Sequence, residues 1–423
     1  MTVQAPHATR PPFDPISVSP LSFWQLTAEE REPHFKVLRD ERPVSWHPPI
    51  EGTMMPAPVD GVWAVTRNED IVHVSKNPEL FCSGQGVIIE AVPEELLDAA
   101  QSFLAMDGEK HSGLRRLVSS VFTPRQVAKI QDQVNNQATM IVDDLVKTNQ
   151  GDFVAQVSKR LPMWTIYEMV GLPPEKRDET TIFADGMVSW ADEEVAAGRE
   201  PAEVLNDSLI GLLTAGLELA EQRRAHPESD LMSLLVQAEV DGRRLTDDEL
   251  GAFFVLLSVA GNDTSRHTTS HAMRALTLHP DQRRLLLEDP DARLADAVEE
   301  FVRWATPVLT FRRTTTREVQ LHDRTLPAGE KVVLFYHSGN RDERAIEQPW
   351  RFDVTRSPNR HLGFGGGGPH YCLGASLART QLRAIFSELL TQLPDLEAGE
   401  PEVLRSAFIH GVKRMPCEFR ARG

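Results

Sequence analysis

The segment Asp247 to Leu278 constrains the fold most strongly, because it opens on a capping box and continues with helical character. In Thr246-Asp247-Asp248-Glu249, Thr246 stands at the N-cap and Glu249 reaches back from the third helical position. Leu245 and Leu250 occupy the places of a hydrophobic staple. The run Gly-Ala-Phe-Phe-Val-Leu-Leu-Ser-Val-Ala that follows is apolar on every side, so this helix is expected to be buried all round. At the standard rise it would be roughly 48 Å long and would cross the whole molecule. A chain built round such a rod is a large, mainly helical domain.

Midway comes Ala260-Gly261-Asn262-Asp263-Thr264-Ser265. A carboxylate and hydroxyls inside a buried helix are costly unless paired, and Ser or Thr there bends helices. Two readings stay open. Gly261-Asn262 makes a good turn between two shorter helices. Alternatively Gly261 leaves a groove beside one long helix, and Asp263 with Thr264 forms an acid–alcohol pair that handles protons.

Other elements follow from periodicity and breakers. A helix is expected over Ala28–Asp40, then strands over Val44–His47 and Gly61–Thr66. Residues 82 to 105, with Gly84, Gly86 and Pro93, read as a long irregular loop of the kind that carries function. From Asp107 to Pro290 nearly everything has helical period, with helices ending at Pro124, Pro162, Pro173–Pro174, Pro201, Pro227, Pro280 and Pro290. Residues 308 to 337 turn to strands, among them Val319–Leu321 and Lys331–Tyr336, and 338 to 371 are irregular. A last helix from Gly374 to Gln392 carries Leu377, Leu382, Ile385, Phe386 and Leu389 on one face. Residues 1–20, with five prolines, form an irregular arm, and 21–423 form one mainly α domain with a smaller β portion.

Composition narrows the function. The 423 residues carry a formal charge of −17, which argues against non-specific nucleic-acid binding. Three cysteines (Cys82, Cys372, Cys417) are too few for a disulfide framework and fit a reducing, cytoplasmic setting. The N-terminus lacks the apolar stretch of a secretory leader, and the longest apolar run, Ala252 to Gly261, is too short to span a bilayer.

The most informative segment is His361-Leu-Gly-Phe364-Gly365-Gly-Gly-Gly-Pro-His370-Tyr-Cys372-Leu-Gly374-Ala. Four consecutive glycines allow close approach to a flat ligand and let successive N–H groups face one acceptor. Cys372 precedes the last long helix, a position that lowers a thiol's pKa. No Gly-Lys-Ser/Thr follows the glycines, which argues against phosphate, and His361, His370 and Cys372 do not make a zinc set. Upstream, Glu300 and Arg303 lie one turn apart on a helix, a spacing that is usually a solvated surface pair.

Taken together, Phe364 to Gly374, Glu300–Arg303 and Ala260-Gly-Asn-Asp-Thr264 resemble the cytochrome P450 superfamily of haem-thiolate monooxygenases over essentially the whole chain. The resemblance implies the P450 fold and haem b, with Cys372 as the proximal thiolate ligand of the iron. It implies that Phe364, Gly365 and Gly374 frame that ligand, and that Glu300 and Arg303 hold the proximal framework with Arg351 as third member. Asp263 and Thr264 would deliver protons beside a groove at Ala260. The haem propionates would be met by His111, Arg115, Arg313 and His370, with Arg312 able to exchange roles with Arg313. Phe364 and Cys372 are eight apart where seven is commonest, an extra residue that the glycine run can absorb. That long run, Ala-Gly-Asn-acid-Thr and Phe408-Ile409-His-Gly resemble an actinobacterial branch that hydroxylates a terminal methyl of methyl-branched lipids and sterol side chains.

By the same resemblance the substrate pocket would be lined by Ile88, Phe103, Leu256, Val259, Ala260, Val308, Leu309, Phe408 and Ile409, nearly all apolar. Residues 181 to 215 would form a lid. No Gly-x-Gly-x-x-Gly fingerprint and no cysteine quartet is present, so electrons would come from a separate ferredoxin and its reductase. Arg115, Arg116, Arg125 and Lys129 would offer the ferredoxin a basic face. An oxygen-dependent monooxygenase using O2 as co-substrate is the favoured function. A peroxide-driven haem-thiolate enzyme and a non-catalytic haem or lipid-binding protein are the alternatives.

Overall fold

A computed structural model describes residues 10–51, 61–89, 103–119, 122–148, 150–240 and 242–420. Parts of the expected arm (1–9) and of the expected loop (90–102) lie outside the described residues. The helices that position the site are α1 (Ala28–Glu41), α2 (Asn68–Lys76), α3 (Gly108–Ser119), α4 (Gln131–Val146), α5 (Arg160–Val170), α6 (Pro174–Ser189), α7 (Pro201–Ala225), α8 (Asp247–Leu278), α9 (Pro290–Ala305) and α10 (Ala375–Gln392). Helix α8 is unbroken over 32 residues, so the turn at Gly261-Asn262 does not form. Its start is the expected capping box: the Glu249 amide donates to Thr246 Oγ1 at 3.2 Å, and the Thr246 amide donates to Glu249 Oε2 at 3.0 Å.

Helices α5, α6, α7, α9 and α10 all pack against α8, which explains why its first half is apolar all round. Gly261 is where α5 comes closest: a Cβ there would lie 2.4 Å from the Ile166 side chain. Most of the prolines read as breaks open helices instead of ending them, at the first position of α6, α7 and α9 for example, where no N–H is lost. Pro162 lies in the first turn of α5, directly after a π-turn at Val154–Ser158, rather than at a helix end.

The β portion is a five-stranded sheet of β1 (Val44–His47), β2 (Val62–Val65), β3 (Phe81–Cys82), β4 (Thr310–Thr315) and β5 (Lys331–Phe335), in the order β1-β2-β5-β4-β3. β5 runs parallel to β2, with Val332 beside Trp63, and antiparallel to β4, with Val332 beside Arg313. That register brings Arg313 to the inner edge of the helical body. No helix among the described residues is long and apolar enough to cross a membrane.

Candidate active site

The glycine loop is moulded by a neighbour from the far end of the sequence. A Cβ on Gly366 would sit 2.5 Å from Ser75 Oγ and 2.9 Å from the Ile71 carbonyl oxygen, both on α2. A Cβ on Gly368 would sit 2.2 Å from the Ser75 carbonyl oxygen, and Gly368 also has φ +73°. Gly365 (φ +96°) turns the chain so that the Cys372 amide donates to the Phe364 carbonyl at 3.0 Å. The eight-residue spacing is thereby closed into a compact loop. Over the Phe364 ring lies the Arg379 guanidinium at 4.3 Å, itself held by Glu299 at 2.5 and 2.9 Å. His361 donates to the same Glu299 at 3.0 Å while its Nδ1 accepts the Gly363 amide at 3.0 Å.

Cys372 lies deep in the protein yet keeps accessible surface, so its sulfur faces an internal cleft rather than solvent. Burial pushes its thiol up; the Gly374 amide, Arg115 and Arg379 pull it down without prevailing. The helix-end position is therefore insufficient by itself to make a thiolate. A bound metal cation does so outright.

On α8, Leu256 and Val259 are partly accessible and Ala260 is exposed within the central, largely buried stretch of the helix. Thr264 is partly accessible one turn later, and its hydroxyl donates to the Ala260 carbonyl at 3.1 Å. Asp263 faces elsewhere. Its carboxylate is buried, 2.8 Å from Arg266 Nη2, and Arg266 reaches Asp185 at 2.7 Å, which holds Lys159 at 2.6 Å. Burial raises the Asp263 carboxyl to about 6, with Arg266 opposing. Both its oxygens lack a well-directed hydrogen bond despite the close cation.

His111, Arg115, Arg313 and His370 come together although they derive from three separate segments. The His111 and His370 rings are 4.3 Å apart, and Arg313, His111 and Arg115 all disfavour charge on His370. Burial first, then these cations, push His370 down to about 3. Nε2 of His111 and Nε2 of His370 are buried without a partner. Arg115 donates to the Tyr371 carbonyl, tying the cluster to the residue beside Cys372. Arg312 turns out to the Gln85 and Gly86 carbonyls (2.5 and 3.3 Å), while Arg313 is 5% exposed and acts electrostatically on His370.

Such a set fits haem. The cluster gathers donors, two of them orphaned, where two propionates need cationic partners. A sulfur opens on the cleft from one side, and glycines whose side chains would collide keep the loop thin.

Glu300 and Arg303 are fully buried, not a surface pair. Arg303 forks the carboxylate at 2.7 and 2.6 Å and donates to the Asn340 and Pro349 carbonyls at 3.1 and 2.7 Å. Arg351 is not the third side chain. It is 60% exposed, 3.9 Å from Asp353, and lends only its carbonyl to Arg303 at 3.3 Å. Arg356 takes that place, 3.2 Å from Glu300 Oε2, joined by Asn359 at 3.0 Å and the Asp353 amide at 2.9 Å. The turns over 349–356 decide which arginine points inward, and no local spacing announces them. Arg266, Asp185, Lys159, Glu299 and Arg379 likewise escape sequence reading, because each pair spans separate elements.

An apolar cavity is lined by Ile88, Leu256, Val259 and Phe408, with Leu104, Met187, Trp190 and Ala407 closing it. Phe103, Leu309 and Ile409 are instead buried core: the Phe103 ring is tilted against Phe253 at 5.7 Å, Leu309 belongs to the core beneath the sheet, and Ile409 bridges Val308. Val308 is half-buried and packs on the sheet.

The cytochrome P450 family model matches residues 212–394. The chain is 41% identical over 424 residues to a methyl-branched lipid omega-hydroxylase of Mycobacterium tuberculosis, covering 98% of this chain and 97% of that one. It is 36% identical over 392 residues to a steroid C26-monooxygenase of Mycolicibacterium smegmatis, covering 91% and 90%. Among solved structures, Mycobacterium marinum cytochrome P450 CYP268A2 in complex with pseudoionone is 53% identical, with a TM-score of 0.95 over 97% of this chain and 100% of that one. Fold and site together define a haem-thiolate oxygenase. The chain belongs to the cytochrome P450 family, and is a monooxygenase with haem b as cofactor and O2 as co-substrate. Membership also implies redox partner proteins and a hydrophobic substrate.

Proposed function

We propose that this monooxygenase hydroxylates the terminal methyl of a methyl-branched lipid, isoprenoid or sterol side chain. The observation that carries the reading is the apolar cavity bounded by Leu256 and Val259, which meets α8 five residues before Thr264. An apolar chain entering it loses water on all sides and presents its end to the cleft. The names of the relatives, one acting on methyl-branched lipids at the omega position and one on steroids at C26, support the same regiochemistry.

When bound, haem supplies the activation of O2 and the insertion of one oxygen atom. Cys372 holds its iron, and His111, Arg115, Arg313 and His370 receive its propionates. Phe364, Gly365 and Gly374 frame the sulfur, and Ala260 leaves room for the macrocycle and oxygen beside α8. The Thr264 hydroxyl stands at the cleft and Asp263 resupplies its proton; Arg266 stays charged throughout and anchors Asp263 to Asp185, which with Lys159 reaches the surface. Electrons come from a ferredoxin and its reductase in the cytoplasm. Residues 21–423 act as one domain behind an N-terminal arm.

The test is spectroscopic and then chemical. The reduced protein exposed to carbon monoxide should show the strongly red-shifted Soret band of thiolate ligation, lost in Cys372→Ala. Titration with a methyl-branched fatty acid, an isoprenoid and a sterol should convert low-spin to high-spin haem. Products from a reconstituted ferredoxin system should carry the hydroxyl on a terminal methyl. Mid-chain or ring hydroxylation would overturn the regiochemistry.

A further inference from the structure

A second polar cluster gathers Arg31 on α1, His271 on α8, His337 just after β5 and His410 near the C-terminus. His271 on α8 stacks on His410, ring centroids 3.8 Å apart. His271 Nε2 donates to the His410 carbonyl at 3.0 Å, and His410 Nδ1 donates to the Ala305 carbonyl at 2.6 Å. Both rings are deep in the protein yet keep accessible surface, so they face an internal space. Facing them are His337, 1% exposed with neither ring nitrogen partnered, and Arg31, 2% exposed with Nε and Nη1 unpartnered. Arg31 lies 5.4 Å from the Trp24 ring and within electrostatic reach of His271, His337 and His410.

Among the described residues no carboxylate pairs with Arg31. Arg341 is a second buried guanidinium, with Nε unpartnered, the Arg303 and Trp304 carbonyls at 3.3 and 3.1 Å, and Glu300, Glu29 and Glu32 acting on it electrostatically. Arg39 is neutralised by Glu32. The carboxylate that acts on Arg31 is Glu29, which is exposed on the first turn of α1. Burial lowers Arg31 only to about 10, so it is charged at neutral pH, whereas burial and the guanidinium groups keep the three histidines neutral. Buried donors of this kind are rarely left unmet, and a buried cation even less so. A metal cation would be repelled by both arginines, and among the described residues no ligand group for one forms.

We propose that Arg31 and His337, closed over by His271 and His410, bind a small monovalent inorganic anion of the halide class in this internal chamber. The guanidinium supplies charge and two N–H donors, His337 supplies a third, and the stacked rings exclude water from the remaining side.

The haem-loaded protein should be melted in sodium bromide and in sodium gluconate at equal ionic strength. Bromide should raise Tm by about 1–2 °C at a tenfold excess over its Kd, and the rise should vanish in Arg31→Met. Crystals of the unaltered protein soaked in bromide should show an anomalous peak within hydrogen-bond reach of Arg31 and His337, a readout that does not depend on the variant folding. A Tm indifferent to bromide, a rise that survives Arg31→Met, or a chamber whose density is water without anomalous signal would each overturn the assignment.

Discussion

Asp263 and Thr264 are adjacent in sequence but serve opposite surroundings: the Thr264 hydroxyl donates to the Ala260 carbonyl at the cleft, while the Asp263 carboxylate lies against Arg266 on the way to Asp185. The helix separates an acid from the alcohol it supplies by a rotation of about 100°. Removing either should therefore give a different defect. Thr264→Ala should keep NADH consumption but divert it to peroxide. Asp263→Asn should slow turnover about tenfold or more while product still tracks electrons. Simultaneous assay of NADH, peroxide and product separates the two, and equal uncoupling in both variants would contradict the division of roles.

The same carboxylate gives a pH signature. Its pKa is raised to about 6 in the folded chain, above its ordinary value near 3.8. Between about pH 4 and 6 the native state thus binds a proton that the unfolded chain has already released, and stability falls as pH rises through that window. Asp263→Asn should flatten that slope in denaturant titrations, and it should remove an inflection near pH 6 from the turnover profile. An unchanged slope would mean that the buried acid does not titrate there.

Buried Glu300 accepts from the buried Arg303 and from the half-buried Arg356, Asn359 and Asp353 amide. Glu300→Gln leaves Arg303 charged and uncompensated, at a cost of about 3–5 kcal/mol. Arg351→Ala, at an exposed site, should change stability by no more than about 0.5 kcal/mol. Arg356→Ala should fall between them. Thermal melts of the three variants rank them, and a large loss in Arg351→Ala would contradict the placement.

Two glycines of the cysteine loop should respond oppositely to alanine. At Gly368 the added Cβ meets the Ser75 carbonyl in a left-handed backbone, so Gly368→Ala should lose about 1–3 kcal/mol from strain alone and impair haem loading. At Gly374, with φ −81° and no protein atom within 4 Å of the added carbon, Gly374→Ala should change the stability of the haem-free chain by no more than about 0.5 kcal/mol. Denaturant titration ranks the two, and the ratio of Soret to protein absorbance reads the loading of Gly368→Ala.

What the sequence disclosed and what it withheld follow one physical division. The start of α8, the strand Val44–His47 and the strand Val319–Leu321 are fixed by capping, alternation and breakers within a few residues, and they appear where expected. The choice of Arg356 over Arg351 depends on turns that a spacing rule does not encode. Whether Leu309 and Ile409 face a cavity or the core depends on the hydrogen bond from the Leu309 amide to the Phe408 carbonyl, which joins segments far apart in the chain. At Cys372 the same division holds: burial, a tertiary quantity, pushes the thiol of the haem-free chain up, while the local helix end pulls it down.

The docking of the glycine loop on α2 also sets a timetable. Asn68 donates to the Gly339 and Arg360 carbonyls at 3.2 Å, and Ile71 and Ser75 form the floor beneath Gly366 and Gly368. The mould is made early in translation and the piece that fits it arrives near the end. During synthesis α2 waits for a partner most of the chain away, and that large loop must close before the sulfur has a fixed direction. Capture of the prosthetic group is therefore among the last events of maturation, and a nascent chain halted before the glycine loop would possess most of its helices but no seat for iron.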